Sequence, residues 1–112
     1  MNIVSSEKEG CLVGQVNSKI LDASTARAFK DALTPLLGQD TKLVIDLSSV
    51  EFIDSSGLGA LVSCLRQAHA TGGEIKLAGL RKPVRVLFEL VRMHRVFEVF
   101  NNPDEAVTSY GI

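Results

Sequence analysis

This chain has almost no net charge: 12 Lys and Arg stand against 13 Asp and Glu in 112 residues, leaving −1 with histidine neutral. That balance removes any global electrostatic pull towards nucleic acid or an anionic membrane. No apolar run approaches the roughly 20 residues that span a bilayer, so membrane insertion is not expected. The opening Met1-Asn2-Ile3-Val4-Ser5-Ser6-Glu7-Lys8 has neither a basic n-region nor a long apolar stretch, and the expected location is the cytoplasm. Cysteine is scarce. Cys11 and Cys64 sit in apolar settings outside any metal-spaced pair, so buried thiols are expected rather than a disulfide or a metal site. The only histidines, His69 and His94, are far apart and near no obvious carboxylate pair, and no cofactor or metal is expected. A Gly-x-x-x-x-Gly-Lys phosphate loop and a Gly-x-Ser-x-Gly elbow are both missing. A serine nucleophile would need a base within hydrogen-bond reach and an acid to orient it, so the chain is read as a non-enzyme.

What is present suits one globular domain over residues 1–112, since 46% of the residues are hydrophobic, enough for one modest core. Residues 3–6 and 11–16 read as strands of an N-terminal hairpin turned at Lys8-Glu9-Gly10. Asp22-Ala23-Ser24-Thr25 offers capping oxygens to a helix with apolar Phe29, Leu33 and Leu36, stopped near Pro35. Leu43-Val44-Ile45-Asp46-Leu47 has the length and β-branching of a strand covered on both faces. A helix follows, its apolar face set by Leu58, Leu61, Val62 and Leu65, and ends at Thr71-Gly72-Gly73. Residues 74–79 read as a strand. Pro83 starts a third helix with Val84, Leu87, Phe88 and Val91 as its buried stripe, residues 96–100 alternate as a closing strand, and residues 103–107 form a last short helix. Strands alternating with helices after a hairpin imply an α/β fold, with about four α-helices packed on a mixed β-sheet.

Asp54-Ser55-Ser56-Gly57-Leu58-Gly59 lies at the junction of a buried strand and an amphipathic helix. Ser55 and Ser56 fall at the cap or first turn, where a serine oxygen accepts from N–H groups that lack partners within the helix. A phosphate on that oxygen would meet the same N–H groups and the positive end of the helix dipole, adding about −1.5 to −2 charges near pH 7. A bare cap serves the helix equally well with no phosphate, and the local pattern leaves both readings open.

The buried run 43–47, Phe52-Ile53-Asp54-Ser55-Ser56-Gly57-Leu58-Gly59, Gly72-Gly73-Glu74 and Val84-Leu87-Phe88 together resemble a stand-alone STAS domain, similar to the bacterial anti-sigma factor antagonists, over nearly the whole chain. The resemblance implies the STAS fold and makes Ser56 the residue phosphorylated by an anti-sigma factor serine/threonine kinase. It further implies partner switching: the unphosphorylated protein binds the kinase and frees a sigma factor, the phosphorylated one lets go, and a PP2C-type phosphatase restores it. In that scheme Gly57 lets the backbone approach the kinase. Asp54 fixes the loop and adds repulsion to the phosphate, or is a plain turn residue. Ser55, Leu58 and Gly59 complete the motif, with Leu58 mainly in the core. Asp22, Ala23 and Ser24 match the family's loop beside the phosphorylation site, or simply cap a helix.

The chain departs from the family pattern in two places. Asn17-Ser18-Lys19-Ile20-Leu21 lacks the glycine common before the Asp22 loop, and Val91-Arg92-Met93 stands where a small residue and glycine are common. A basic group, Arg81, Lys82, Arg85, Arg92 and Arg95, reads either as a solvated helix face or as a surface for an acidic partner. An alternative role within the resemblance is a cytoplasmic STAS subunit of a lipid-transport ATPase or scaffold complex.

Overall fold

The computed structural model describes residues 1–111. Strands β1 (Ile3–Lys8) and β2 (Cys11–Val16) form the antiparallel hairpin. Its turn is tighter than expected. Glu9 and Gly10 alone make it, at φ 50° and 82°, the left-handed pair that a two-residue turn between twisted strands requires. Pairing therefore runs on to Lys8 opposite Cys11. β2 then pairs in parallel with β4 (Lys42–Asp46), β4 with β6 (Glu74–Ala78), and β6 with β7 (Val99–Phe100), giving a mixed five-stranded sheet in the order β1-β2-β4-β6-β7.

Alternation along β4 and β6 divides the interior between the two faces of the sheet. Leu43, Ile45, Ile75 and Leu77 point into the larger core, which holds Phe29 and Leu33 of α1 (Ala26–Leu33), Leu61 and Leu65 of α2 (Ser55–Ala70), and Val84 and Phe88 of α3 (Lys82–Leu90). Val44 and Ala78 face the other way, against Ala106 and Val107 of α4 (Pro103–Ser109). α1 ends where expected, Pro35 sitting in a 3-10 turn over Thr34–Leu36, because proline offers no N–H to continue the helix.

Two expectations need correction near the C-terminus. The closing strand is only Val99–Phe100: the amides of Val96 and Phe97 both donate to the Met93 carbonyl in a turn that follows left-handed Arg92 (φ 60°), so they are unavailable to a ladder. Val91 is not buried. It lies just past the end of α3 and is 45% exposed.

The α4 face carries the one buried charged residue among those described, Lys76. Its ammonium donates to Ser109 Oγ at 2.8 Å, lies 3.7 Å from the Glu98 carboxylate and sits 4.3 Å from the Tyr110 ring centre. The Tyr110 hydroxyl donates to the Leu43 carbonyl at 2.7 Å, and burial holds that phenol well above its ordinary pKa. A Lys8–Asp104 ion pair ties the hairpin to the same helix.

Cys11 and Cys64 are both buried free thiols. Burial pushes Cys64 up to about 11 from 9.0, with the Lys30 charge acting the other way. The folded state keeps this proton where the unfolded chain loses it, so the stability involved is intact below pH 9 and is lost as pH rises towards 11. Urea unfolding across that window is expected to show falling stability, with a shallower fall in Cys64→Ala; an identical slope would remove Cys64 as the cause.

Candidate functional site

The site is built on the start of α2. Asp54, extended at φ −117° and ψ −172°, is the N-cap, and its carboxylate accepts from the amides of Ser56 at 2.9 Å and Gly57 at 3.1 Å. Ser55 and Ser56 occupy the first turn and are exposed. The reading of either serine as the helix cap is thereby corrected: an aspartate already satisfies those amides, and the Ser56 hydroxyl is free of that duty. Asp54→Ala is expected to lower stability by about 0.5–2 kcal/mol. Ser56→Ala should stay within about 0.5 kcal/mol of wild type, as exposed substitutions do. Urea denaturation of both variants checks the contrast, and the reverse order of effects would restore the serine cap.

A second, two-stranded sheet locks this turn to the chain before α1. β3 (Ile20–Leu21) pairs in parallel with β5 (Phe52–Ile53), Leu21 opposite Ile53. The residues that follow these strands, Asp22 and Asp54, therefore emerge side by side. The Asp54 amide donates to the Leu21 carbonyl at 3.2 Å. That carbonyl also explains Gly57, where an added Cβ would lie 2.2 Å from Leu21 O and 2.8 Å from Ile53 Cγ1. The expectation that Gly57 opens the backbone to a kinase is replaced: Gly57 is buried, and its missing side chain makes room for this chain's own backbone. Leu58 is in the core at 7% exposed, while Gly59 is exposed with nothing within 4 Å of a Cβ.

The Asp22 loop also differs in detail from the capping expectation. Thr25 is the N-cap of α1 but makes no side-chain cap bond; its hydroxyl oxygen accepts from the Asp22 amide at 3.0 Å. The Asp22 carboxylate accepts from the Ser24 hydroxyl at 2.6 Å and amide at 2.9 Å, and the hydroxyl bond holds its pKa below the ordinary value. These oxygens fix the loop rather than cap the helix. Ala23 and Ser24 are left exposed.

Two grooves flank the first turn of α2. One, about 350 Å³, runs between α1 and α2 past Ala23, Arg27, Lys30, Ser56 and Gly59. The other, about 570 Å³, is apolar and runs past Ser55, Leu58, Val62, Arg66, Val91 and Met93. Sequence reasoning missed Arg27 and Lys30, since nothing local in the sequence says which α1 residues face α2, whereas it marks the segment holding Val91 and Met93 as a departure from the family pattern. Within the basic group, Arg81 donates from Nε to the Ser48 carbonyl at 2.8 Å and so braces a loop. His69 does have a carboxylate neighbour: Nε2 lies 2.9 Å from Glu74 Oε1, an exposed pair.

Residues 2–106 fit the STAS domain. The chain belongs to the STAS domain family. Among its relatives, the anti-sigma-B factor antagonist of Listeria monocytogenes is 33% identical over 82 residues, 72% of each chain. The anti-sigma-B factor antagonist of Bacillus subtilis is 29% identical over 79 residues, 70% of this chain and 72% of that one. A crystal structure of an anti-sigma factor antagonist from Mycobacterium paratuberculosis superposes with a TM-score of 0.83 at 27% identity, covering 96% of this chain and 92% of that one. In this STAS domain no helix among the described residues is long and apolar enough to cross a membrane.

Proposed function

We propose that this STAS domain is an anti-sigma factor antagonist that switches partners on phosphorylation of Ser56. The observation that carries the reading is the Ser56 hydroxyl, exposed in the first turn of α2 while Asp54 does the capping. Relatives named as anti-sigma factor antagonists support the role. In the unphosphorylated state the edge formed by Ala23, Ser24, Ser55, Ser56 and Gly59 engages an anti-sigma serine/threonine kinase, which then releases its sigma factor. The kinase transfers the γ-phosphoryl group of ATP: the bond from Ser56 Oγ to phosphorus forms, the bond to ADP breaks, and the serine proton passes to a base on the kinase. The added dianion ends binding, because it turns a neutral hydroxyl at the centre of the contact into a group that an acidic or closely packed partner surface rejects. A PP2C-type phosphatase restores the hydroxyl by hydrolysis: water attacks phosphorus, the bond to Ser56 Oγ breaks, Oγ takes up a proton and inorganic phosphate leaves. The domain itself performs no catalysis in this scheme and acts in the cytoplasm.

Mass spectrometry of the protein after incubation with a captured kinase and MgATP tests the assignment. A single phosphate on Ser56, absent from Ser56→Ala, is expected. Phosphate on Ser55 or Ser24 with Ser56 unmodified would overturn it.

A further inference from the structure

The groove between α1 and α2 holds two cations that unmodified Ser56 does not need. Ala23, Ala26, Gly59 and Ala60 give it small walls, and Arg27 and Lys30 supply its charge. The Arg27 side chain is 91% exposed, and its one ion pair among the described residues is a long contact of 4.0 Å to Asp31. Lys30 makes no ion pair among the described residues. Its charge nevertheless acts on Cys64 of α2, which lies two helical steps of four residues beyond Ser56 on the face turned to α1. The aspartates on this side are already engaged, Asp54 with the amides of Ser56 and Gly57, Asp22 with Ser24.

We infer that Arg27 and Lys30 form an intramolecular receptor for a phosphoryl group on Ser56, drawing it into the α1–α2 groove. The inference rests on Ser56 as the acceptor and adds where its phosphate goes. The planar guanidinium of Arg27 can hold two phosphate oxygens at once, giving up its loose contact with Asp31, while Lys30 adds a point charge along the groove. Phosphorylation then does more than place charge at an edge. It fills the groove and withdraws two cations from any partner. A free phosphate offers the same chemistry, and the test separates the two sources.

Phosphoserine incorporated during translation at position 56 removes any need for a kinase. Its second pKa is read by ³¹P NMR in otherwise wild-type protein, in Arg27→Gln/Lys30→Gln and in Arg66→Gln, whose charge lies on the opposite groove. Asp22 and Asp54 are common to all three proteins and cancel in the comparison, while Asp31, which loses its Arg27 contact in the double variant, is controlled by repeating the series with Asp31→Asn. The double variant is expected to raise the pKa by about 0.3–0.7 unit, the size of an exposed ion pair, and Arg66→Gln to leave it nearly unchanged. Equal pKa values in all three proteins, or an equal rise in Arg66→Gln, would overturn the receptor. Unmodified protein titrated with inorganic phosphate should show no saturable shift of the Arg27 and Lys30 side-chain resonances; saturation in the low-millimolar range would assign the groove to a free anion instead. If Ser56 carries no phosphate in cells, the partner-switching reading fails while this comparison stays readable.

Discussion

Ser56→Ala is expected to hold the anti-sigma kinase through repeated cycles of ATP addition, whereas Ser56→Glu is expected to bind it at least about tenfold more weakly, a difference of about 1.4 kcal/mol. The physical basis is the position of the hydroxyl. Ser56 is exposed in the first turn of α2 and carries none of the capping load, which falls on Asp54. Removing the hydroxyl therefore leaves the surface intact and takes away the proposed phosphate acceptor. Glutamate adds one negative charge where phosphate adds about two. Two like charges about 4 Å apart repel by about 1 kcal/mol in water and about 4 kcal/mol at the edge of a protein, so even half the charge is felt at a close contact. Calorimetric or interferometric titration of the two variants against the captured kinase provides the check. Equal affinities would sink the switch. Capture of transporter subunits by both variants alike would move the chain to the lipid-transport role and leave Ser56 without a regulatory duty.

Gly57→Ala is expected to destabilise the protein by about 1–3 kcal/mol, the cost of overpacking a filled site, although a glycine within a helix normally gains from the change. The sign reverses because the new Cβ would stand 2.2 Å from the Leu21 carbonyl and 2.8 Å from Ile53 Cγ1. One of these neighbours is backbone, and it also accepts from the Asp54 amide. Relief of the clash must move the β3–β5 sheet away from α2 and carry the Asp22 loop away from Ser56, so partner affinity should fall along with stability. Gly59→Ala is the internal control: it sits in the same helix with open space at its Cβ. Urea denaturation of the pair gives the answer. Equal stabilities for the two alanine variants would show that the contact with Leu21 does not matter.

The β-strand and helix order was largely legible because each element announces itself locally. Val44 and Ile45 mark a buried strand, Phe29 and Leu33 mark a helix face, and Pro35 marks a stop. The mixed sheet and the four helices follow from that pattern, and the STAS family from the motif beside it. The short strands escaped. Ile20-Leu21 and Phe52-Ile53 are two residues each, too few to show a period, and they become strands only by pairing with one another. The closing strand was read too long for the opposite reason: residues 96–100 alternate well, but the Arg92 turn had already claimed two of their amides.

The candidate site divides along the same line. By itself the sequence determined that Asp54, Ser55 and Ser56 start a helix, because capping depends on residues within one turn of each other, and that they stand in neither a Gly-x-Ser-x-Gly elbow nor a Gly-x-x-x-x-Gly-Lys loop. Only the tertiary structure decided which of the three is the cap, why position 57 must be glycine, and that Arg27 and Lys30 line the groove beside Ser56, whereas the Asp22 to Ser24 loop is already expected there from the family resemblance. Those outcomes depend on the Leu21–Ile53 register and on the packing of α1 against α2. Such contacts join segments about 30 residues apart, and local propensity carries no information about which of them will meet.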